Sequence, residues 1–504
     1  MKRIQCILSL ALAALLLLPM GAALAVDDGF SSTYTYNYDY WTDLRESPDA
    51  YRVDQVVYSA SLELDQPLRK PQSLYVHEND LYVCDTGNNR ILQLRRDADK
   101  KFSLVRVIDK ISGAQPETFN SPNDMALDPE GNLYVCDTNN NRVIKADKNL
   151  NYLQSFTKPQ DTTFDQNLSF LPSKLVVDTT GRVFVLATHV NKGLVKYEAD
   201  GTFTGFVGAN TVKYNMWEYI WKTFFTTKEQ RAQQVAFVPT EYENIYIDKE
   251  GFIYATNIVF SEYDLLYDVA KPIRRLNSIG SDILIKNDRY PPIGDLTWVE
   301  GTNDYGPSKF KDITVLDNDI YIAVDRTRGR LFGYDPQGIM LWAFGTKGNS
   351  EGAFLSAVSI EHMDHDLLVL DENESSITVF TPTEYGSLIY QANDQYLKGD
   401  YDGSADTWRE VLKLNANYNS AFIGIGRALM RQEQYGEAME YFKMAHDREN
   451  YGRAYRYYRK ILVEKNVGWA LAVIVVLVVV PMVIRKVKAA KEEVEAYERR
   501  KIAH

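Results

Sequence analysis

The chain has 504 residues, 45% hydrophobic and 25% charged with 17 prolines, which excludes a disordered or collagen-like polymer and suggests about three domain equivalents at roughly 150 residues each. A formal net charge of −12 argues against nucleic-acid binding, which needs a basic surface to neutralise phosphates. Three cysteines (Cys6, Cys84, Cys136) are too few for a disulfide framework or a four-thiolate metal site, and 34 tyrosines are the unusual feature of the composition.

Residues 1–25 read as an export signal. Lys2 and Arg3 give a basic start, Ile7 to Leu18 an apolar run broken by Ser9, and Ala23-Leu24-Ala25 the small-x-small pattern a signal peptidase cuts after. Cys6 lies too early for lipid attachment. Residues 26–54 make a Tyr-rich N-terminal segment in which Tyr34, Tyr36, Tyr38 and Tyr40 alternate. In a strand these line one face, suited either to packing against the following domain or to stacking on sugar rings.

A unit of about fifty residues then recurs. Residues 70–94 (KPQSLYVHENDLYVCDTGNNRILQL) and 121–146 (SPNDMALDPEGNLYVCDTNNNRVIKA) align with Asp85 on Asp137, a period of 52. Further copies start at Leu171, run through 244–257 with completion at 273–277, and occupy 310–335 and 358–380. Each reads as three short strands joined by Gly/Asp/Asn turns, and most are followed by a fourth: LVRVID, NYLQSFT, TFTGFVG, DILIK and IMLWAFG. Four strands repeated six times predict a six-bladed β-propeller over residues 55–386, with Gln55 to Leu64 as the strand that completes the sixth blade and closes the ring.

The motif LYVCDT-x-NNR closely resembles the NHL repeat, a family of six-bladed propellers. The first two copies match strongly, while Ala187 and Asn257 replace the Asp in copies three and four, and Ser376 replaces the Arg in copy six. Asp85 with Arg90, and Asp137 with Arg142, stand five residues apart across a hairpin and read as turn locks, since a repeated residue does repeated structural work. Cys84 and Cys136 hold the same place in neighbouring copies, and the rotation between blades (about 60 degrees for six) keeps them beyond disulfide reach.

After the third blade an insertion at residues 209–235 puts Trp217, Ile220, Trp221, Phe224 and Phe225 at helical spacing. This apolar stripe is either buried or placed to cap the propeller mouth, dock other helices or touch a membrane. From 387 to 466 the pattern becomes helical. Tyr401 and Tyr435, Trp408 and Phe442, and Val411 and Ala445 are each 34 residues apart, which resembles the tetratricopeptide repeat. Val467 to Ile484 is eighteen residues without a charge, roughly 27 Å as a helix, and reads as a transmembrane span. Basic residues flank it on both sides, seven in 485–504 and six in 448–466, so orientation rests on the export signal, with 485–504 as a cytoplasmic tail. The exported part, 26–466, then has a net charge of −17.

No nucleophile elbow, phosphate loop or zinc helix is present. The cluster His362-Met363-Asp364-His365-Asp366 reads as a surface turn on the rim of blade six. Pro122-Asn123-Asp124 followed by DPEGNLYV also resembles the gluconolactonase-type propellers. That resemblance implies a divalent metal in the central channel and Asn123 or Asp124 at its mouth, although no complete ligand set is identifiable in the other blades.

These features predict a mainly β protein: an NHL-like propeller, a small tetratricopeptide-like α-helical module and one transmembrane helix. The expected role is that of a membrane-anchored extracellular binding or scaffold protein for a glycan or a transport-associated protein. No cofactor is expected, and Asn123, Asp124, Trp217 and Trp221 are the ligand contacts. A metal-dependent hydrolase using the channel is the alternative.

Overall fold

Each repeat is a run of β-branched and aromatic residues cut by short polar turns, which folds as antiparallel strands with apolar side chains on both faces. A computed structural model of the chain describes residues 35–41, 43–208, 242–266, 270–286, 291–296 and 306–502. The expected export signal, Tyr34, and the insertion with Trp217 and Trp221 lie outside them. Contacts divide the chain into two units, Met1–Tyr390 and Gln391–His504.

In the first unit, six inner strands ring one axis: Ser73–His77, Pro122–Leu127, Leu171–Val177, Tyr242–Ile247, Phe310–Val315 and Ala357–Met363. Each touches the next, and the last touches the first. Behind them, antiparallel ladders build blades one to three with four strands each, ending in Phe102–Ile108, Tyr152–Thr157 and Phe203–Val207. Blade six is closed by Tyr51–Tyr58, paired to Ser376–Pro382 from Tyr58↔Ser376 to Tyr51↔Pro382. The closing strand thus exists as expected but begins four residues earlier. It ends where Ser59–Leu62 coils into a 3₁₀ turn.

Blade four departs from expectation. It has three described strands, and DILIK (282–286) is not a fourth. Its ladder stops after the single bridge Leu276↔Asp282, where the Asp282 side chain in place of a backbone carbonyl accepts the Arg275 N–H (3.2 Å) and the Leu284 N–H (3.1 Å). A short helix, α1 (Glu262–Leu266), fills the connection before Ile273–Leu276.

Blade five gains strands instead of losing one. Tyr36–Tyr38 pairs with the outer strand Met340–Phe344, and Leu44–Glu46 pairs with Tyr36–Tyr38, making a six-stranded sheet. The Tyr-rich segment therefore packs along the propeller. Both Tyr36 and Tyr38 hydroxyls donate to the buried Asp295, which also pairs with Arg330.

Between neighbouring blades lies a layer of apolar side chains. Cys84 sits in the layer between blades one and two, Cys136 in that between two and three, and both are free thiols. Trp342, Phe344 and Phe380 pack between blades five and six with ring centroids 5.3 Å apart. Fully burying one such side chain contributes about 1.5–3 kcal/mol, so each blade interface stabilises its neighbours through several such burials.

Where the hairpin Asp is present, in blades one, two, five and six, it pins the loop that leads into the inner strand. Asp137 accepts Arg142 Nε (2.8 Å) and the Asn120 N–H (2.8 Å), while Arg142 donates to the Gln115 and Pro116 carbonyls. Asp85 and Arg90 repeat the arrangement with Arg69 N–H and the Gln66 carbonyl. In blade six, where Ser376 replaces the arginine, Asp371 holds its loop alone through the Leu355 and Ser356 N–H groups.

From α2 (Glu384–Leu397) the chain is helical, continuing through α3 (Tyr401–Leu414), α4 (Asn419–Arg431), α5 (Tyr435–Met444) and α6 (Arg448–Ile502). Consecutive helices from α3 to α6 pack together. Gly424 and Gly426 of α4 lie against the Trp408 and Phe442 rings, so small residues admit the aromatic residues that recur 34 apart. In α6 every residue from Val467 to Ile484 is exposed, and among the described residues this is the one helix long and apolar enough to cross a membrane.

Candidate functional site: the propeller channel

The inner strands surround a cavity of about 250 Å³. Five of them carry a register shift near their start, between Pro122 and Asp124, Pro172 and Lys174, Tyr242 and Asn244, Phe310 and Asp312, and Ala357 and Ser359. A bulge adds one residue and re-aims the side chain that follows. One position per blade thereby forms a polar ring, in order Ser73, Asp124, Lys174, Asn244, Asp312 and Ser359, all buried. Two residues further along each strand, a second ring reads Tyr75, Ala126, Val176, Tyr246, Thr314 and Glu361.

The first ring is largely occupied with itself. Asp124 accepts Ser73 Oγ (2.6 Å) on one oxygen and the Leu175 N–H of the next blade (2.9 Å) on the other. Asp312 likewise accepts Ser359 Oγ (2.7 Å) and the Ile360 N–H (2.8 Å), and Ser359 accepts the Leu74 N–H (3.1 Å). The Lys174 ammonium donates to Ser73 Oγ (3.2 Å) and stands 4.0 Å from Asp124. These are stitches from blade to blade. Asn244 differs: its carbonyl oxygen accepts the Ile245 N–H (2.7 Å), while its amide nitrogen has no partner among the described residues.

Burial sets the protonation states. It raises the Asp124 and Asp312 carboxyls above the usual range, against the opposing pull of Lys174 and the hydrogen bonds each accepts. Burial by itself would lower Lys174, but the Asp124 and Asp312 charges outweigh it and hold the ammonium above its ordinary value. Glu361 is pushed well above the usual carboxylate range by burial and then by Asp312, which favours its protonated form. His362, 2.8 Å from Thr314 Oγ1 through Nδ1, is lowered by burial from 6.5 to about 4 and is neutral. Burial therefore favours an uncharged second ring, and the charges of the first face one another.

Of the sequence-predicted contacts, Asp124 lines the cavity and has both oxygens engaged, whereas Asn123 is the half-buried bulge residue and does not line it. Trp217 and Trp221 lie outside the described residues. The histidine cluster is split, which corrects its reading as one surface turn. Only Asp364 and His365 form the exposed turn, His362 belongs to the inner strand and lines the cavity, and Asp366 is buried against Arg96 and Lys100. Lys174, Asn244, Tyr246 and Glu361 were not foreseen. Their signal lies in two columns of the repeat alignment, the one that holds Asp124, Lys174 and Asn244 and the one two residues later that holds Tyr246 and Glu361.

A lactonase-type metal does not fit these residues. Among the described residues no group of three or more His, Cys, Asp or Glu is disposed to hold a cation, and the ammonium of Lys174 already balances the channel carboxylates.

Residues 119–145, the blade-two segment with Asp124, Asp137 and Arg142, match the family model described as NHL repeat. No curated protein sequence matches the chain. Solved structures similar to it include a streptogramin B lyase (11% identity, TM-score 0.38, covering 65% of this chain and 98% of that one). Virginiamycin B lyase from Staphylococcus aureus (10%, 0.36, 66% and 99%) and a candidate gluconolactonase (10%, 0.38, 67% and 94%) are also similar. At these identities and scores no activity follows from the likeness; the chain contains an NHL repeat within a six-bladed propeller.

Proposed function

We propose that this protein is a membrane-anchored binding protein that presents its propeller outside the cell to a glycan or a transport-associated protein. In this reading residues 26–466 are exported, α3 to α6 form a tetratricopeptide-like module beside the membrane, Val467 to Ile484 spans it, and 485–504 is a cytoplasmic tail. The observation that carries the reading is the channel. It offers uncharged hydrogen-bonding groups, while its charged residues are committed to one another and supply neither a metal set nor an ionised base. The exposed apolar stretch of α6 supports the anchor.

Capture of glycans and membrane proteins by the full chain in detergent tests the reading, with a Trp217→Ala, Trp221→Ala double variant and an Asn123→Ala, Asp124→Asn variant beside it. Specific capture that one of these variants weakens is the expected result. Lactone hydrolysis that depends on added calcium would replace the binding reading with the hydrolase one.

A further inference from the structure

The second ring is not a uniform wall. With six blades, blades one and four face each other, so Tyr75 and Tyr246 oppose across the axis. Ala126 and Val176, on blades two and three, leave a small apolar side between them. Opposite these, blade six presents Glu361, whose carboxyl accepts the His362 N–H and a long 3.4 Å hydrogen bond from Thr314, with acceptor capacity left. Both tyrosine hydroxyls are loosely held, at 3.4 Å from the Leu127 and Val315 carbonyls. Above Tyr246 the Asn244 amide nitrogen, on a side chain 3% exposed, opens to the cavity without a protein partner.

We infer that this cavity binds one neutral, polyhydroxylated molecule the size of a single sugar ring, its apolar face toward Ala126 and Val176 and its hydroxyl edge toward Asn244 and Glu361. A purely apolar occupant would leave the buried Asn244 amide unpaired and without water, which costs binding. A charged occupant would find no uncommitted counter-charge, because the Lys174 ammonium is held by Ser73 and faces two aspartates. At about 250 Å³ the space lies below the roughly 300–1,000 Å³ of drug-sized sites and admits one ring rather than a chain. The inference rests on the binding reading above and names its ligand.

The test is calorimetric titration of the full chain in detergent with glucose, galactose, mannose and N-acetylglucosamine, and with glucuronate as the charged comparison. Saturable 1:1 binding of at least one neutral sugar is expected, with glucuronate at least tenfold weaker. Ala126→Phe fills the apolar side and should abolish binding. Asn244→Ala, which leaves the volume open, should weaken it about tenfold. Cooperative melting of each variant confirms that it folds. The inference is overturned if no neutral sugar binds, if glucuronate binds as tightly, or if Asn244→Ala folds and binds undiminished. Should the sugars fail while the full chain still captures a macromolecule, the ligand class is wrong and the binding reading stands; should both fail, both fall.

Discussion

Replacing Lys174 by methionine keeps the buried aliphatic stem and removes the ammonium that stands 4.0 Å from Asp124 and 3.2 Å from Ser73 Oγ. At an effective dielectric constant near 20, a charge pair at 4 Å is worth about 4 kcal/mol, and a charged hydrogen bond about 1.5–3 kcal/mol. Relief of the ammonium's own desolvation offsets part of that sum. The remaining loss has a ceiling, because Asp124 can escape by taking up a proton. From its ordinary 3.8 to pH 7 that protonation costs about 4 kcal/mol at about 1.4 kcal/mol per pH unit. The expected destabilisation at pH 7 is thus ~3–4 kcal/mol. Its pH dependence has a definite sign. Without Lys174 the folded-state carboxyl lies still higher above its unfolded value, so the deficit is small near pH 4 and widens as pH rises. Urea unfolding of the full chain, followed by fluorescence of the fully buried Trp342, measures it. A Lys174→Met, Asp124→Asn double variant should recover at least ~2 kcal/mol relative to additivity. A loss under ~1 kcal/mol at pH 7, the same loss at pH 5 and pH 8, or strict additivity would refute the idea that this lysine neutralises the channel.

Arg142→Ala strips the guanidinium from the fully buried Asp137 and unpins the loop at Gln115 and Pro116, and should cost ~3 kcal/mol in urea unfolding, well above any exposed arginine. His362, with its folded pKa near 4 against 6.5 unfolded, favours the fold above pH 6.5 and loses that contribution as pH falls toward 4. The upper bound is ~3 kcal/mol, reduced by the solvent that reaches its half-buried ring, and a His362→Asn variant should flatten this part of the stability profile. Glu361, raised instead, favours the fold below its unfolded value near 4.5 and loses that as pH rises, so Glu361→Gln should show a stability gain that grows between pH 5 and pH 8. Gly424→Ala gains about 1 kcal/mol of helix propensity but drives a Cβ to 2.4 Å from Trp408 Nε1; with overpacking at about 1–3 kcal/mol, hydrogen exchange in α4 should accelerate rather than slow.

Several elements were legible because the information lies among neighbours along the chain. Asp85 and Arg90 are five residues apart, and their turn closes as the hairpin signature implies. The apolar run Val467–Ile484 needs only its own composition to be read as a span-length helix. The alternating tyrosines predicted a strand with its rings on one face, for packing or for stacking on sugars; Tyr36 and Tyr38 both bond Asp295 from such a strand, so packing is the outcome. The alternation of DILIK predicts a strand but says nothing about Asp282, whose carboxylate takes the ladder bond from Arg275 that a carbonyl would.

The channel is a different matter. Ser73, Asp124, Lys174, Asn244, Asp312 and Ser359 are separated by 47 to 70 residues each, and nothing local tells a buried carboxylate that stitches two blades from one that greets a ligand. Asp124 was singled out for its neighbours in sequence and proved to be committed, whereas Asn244 and Glu361 drew no notice and have hydrogen-bonding capacity left. By itself the sequence determined the blade count, the closing strand, the turn locks and the apolar helix, since each is a periodicity or a short-range hydrogen bond. Only the tertiary structure decided which column of the repeat faces the axis, which of its groups satisfy one another, and which protonation states burial imposes. Those depend on distances across the ring, which closure of all six blades alone creates.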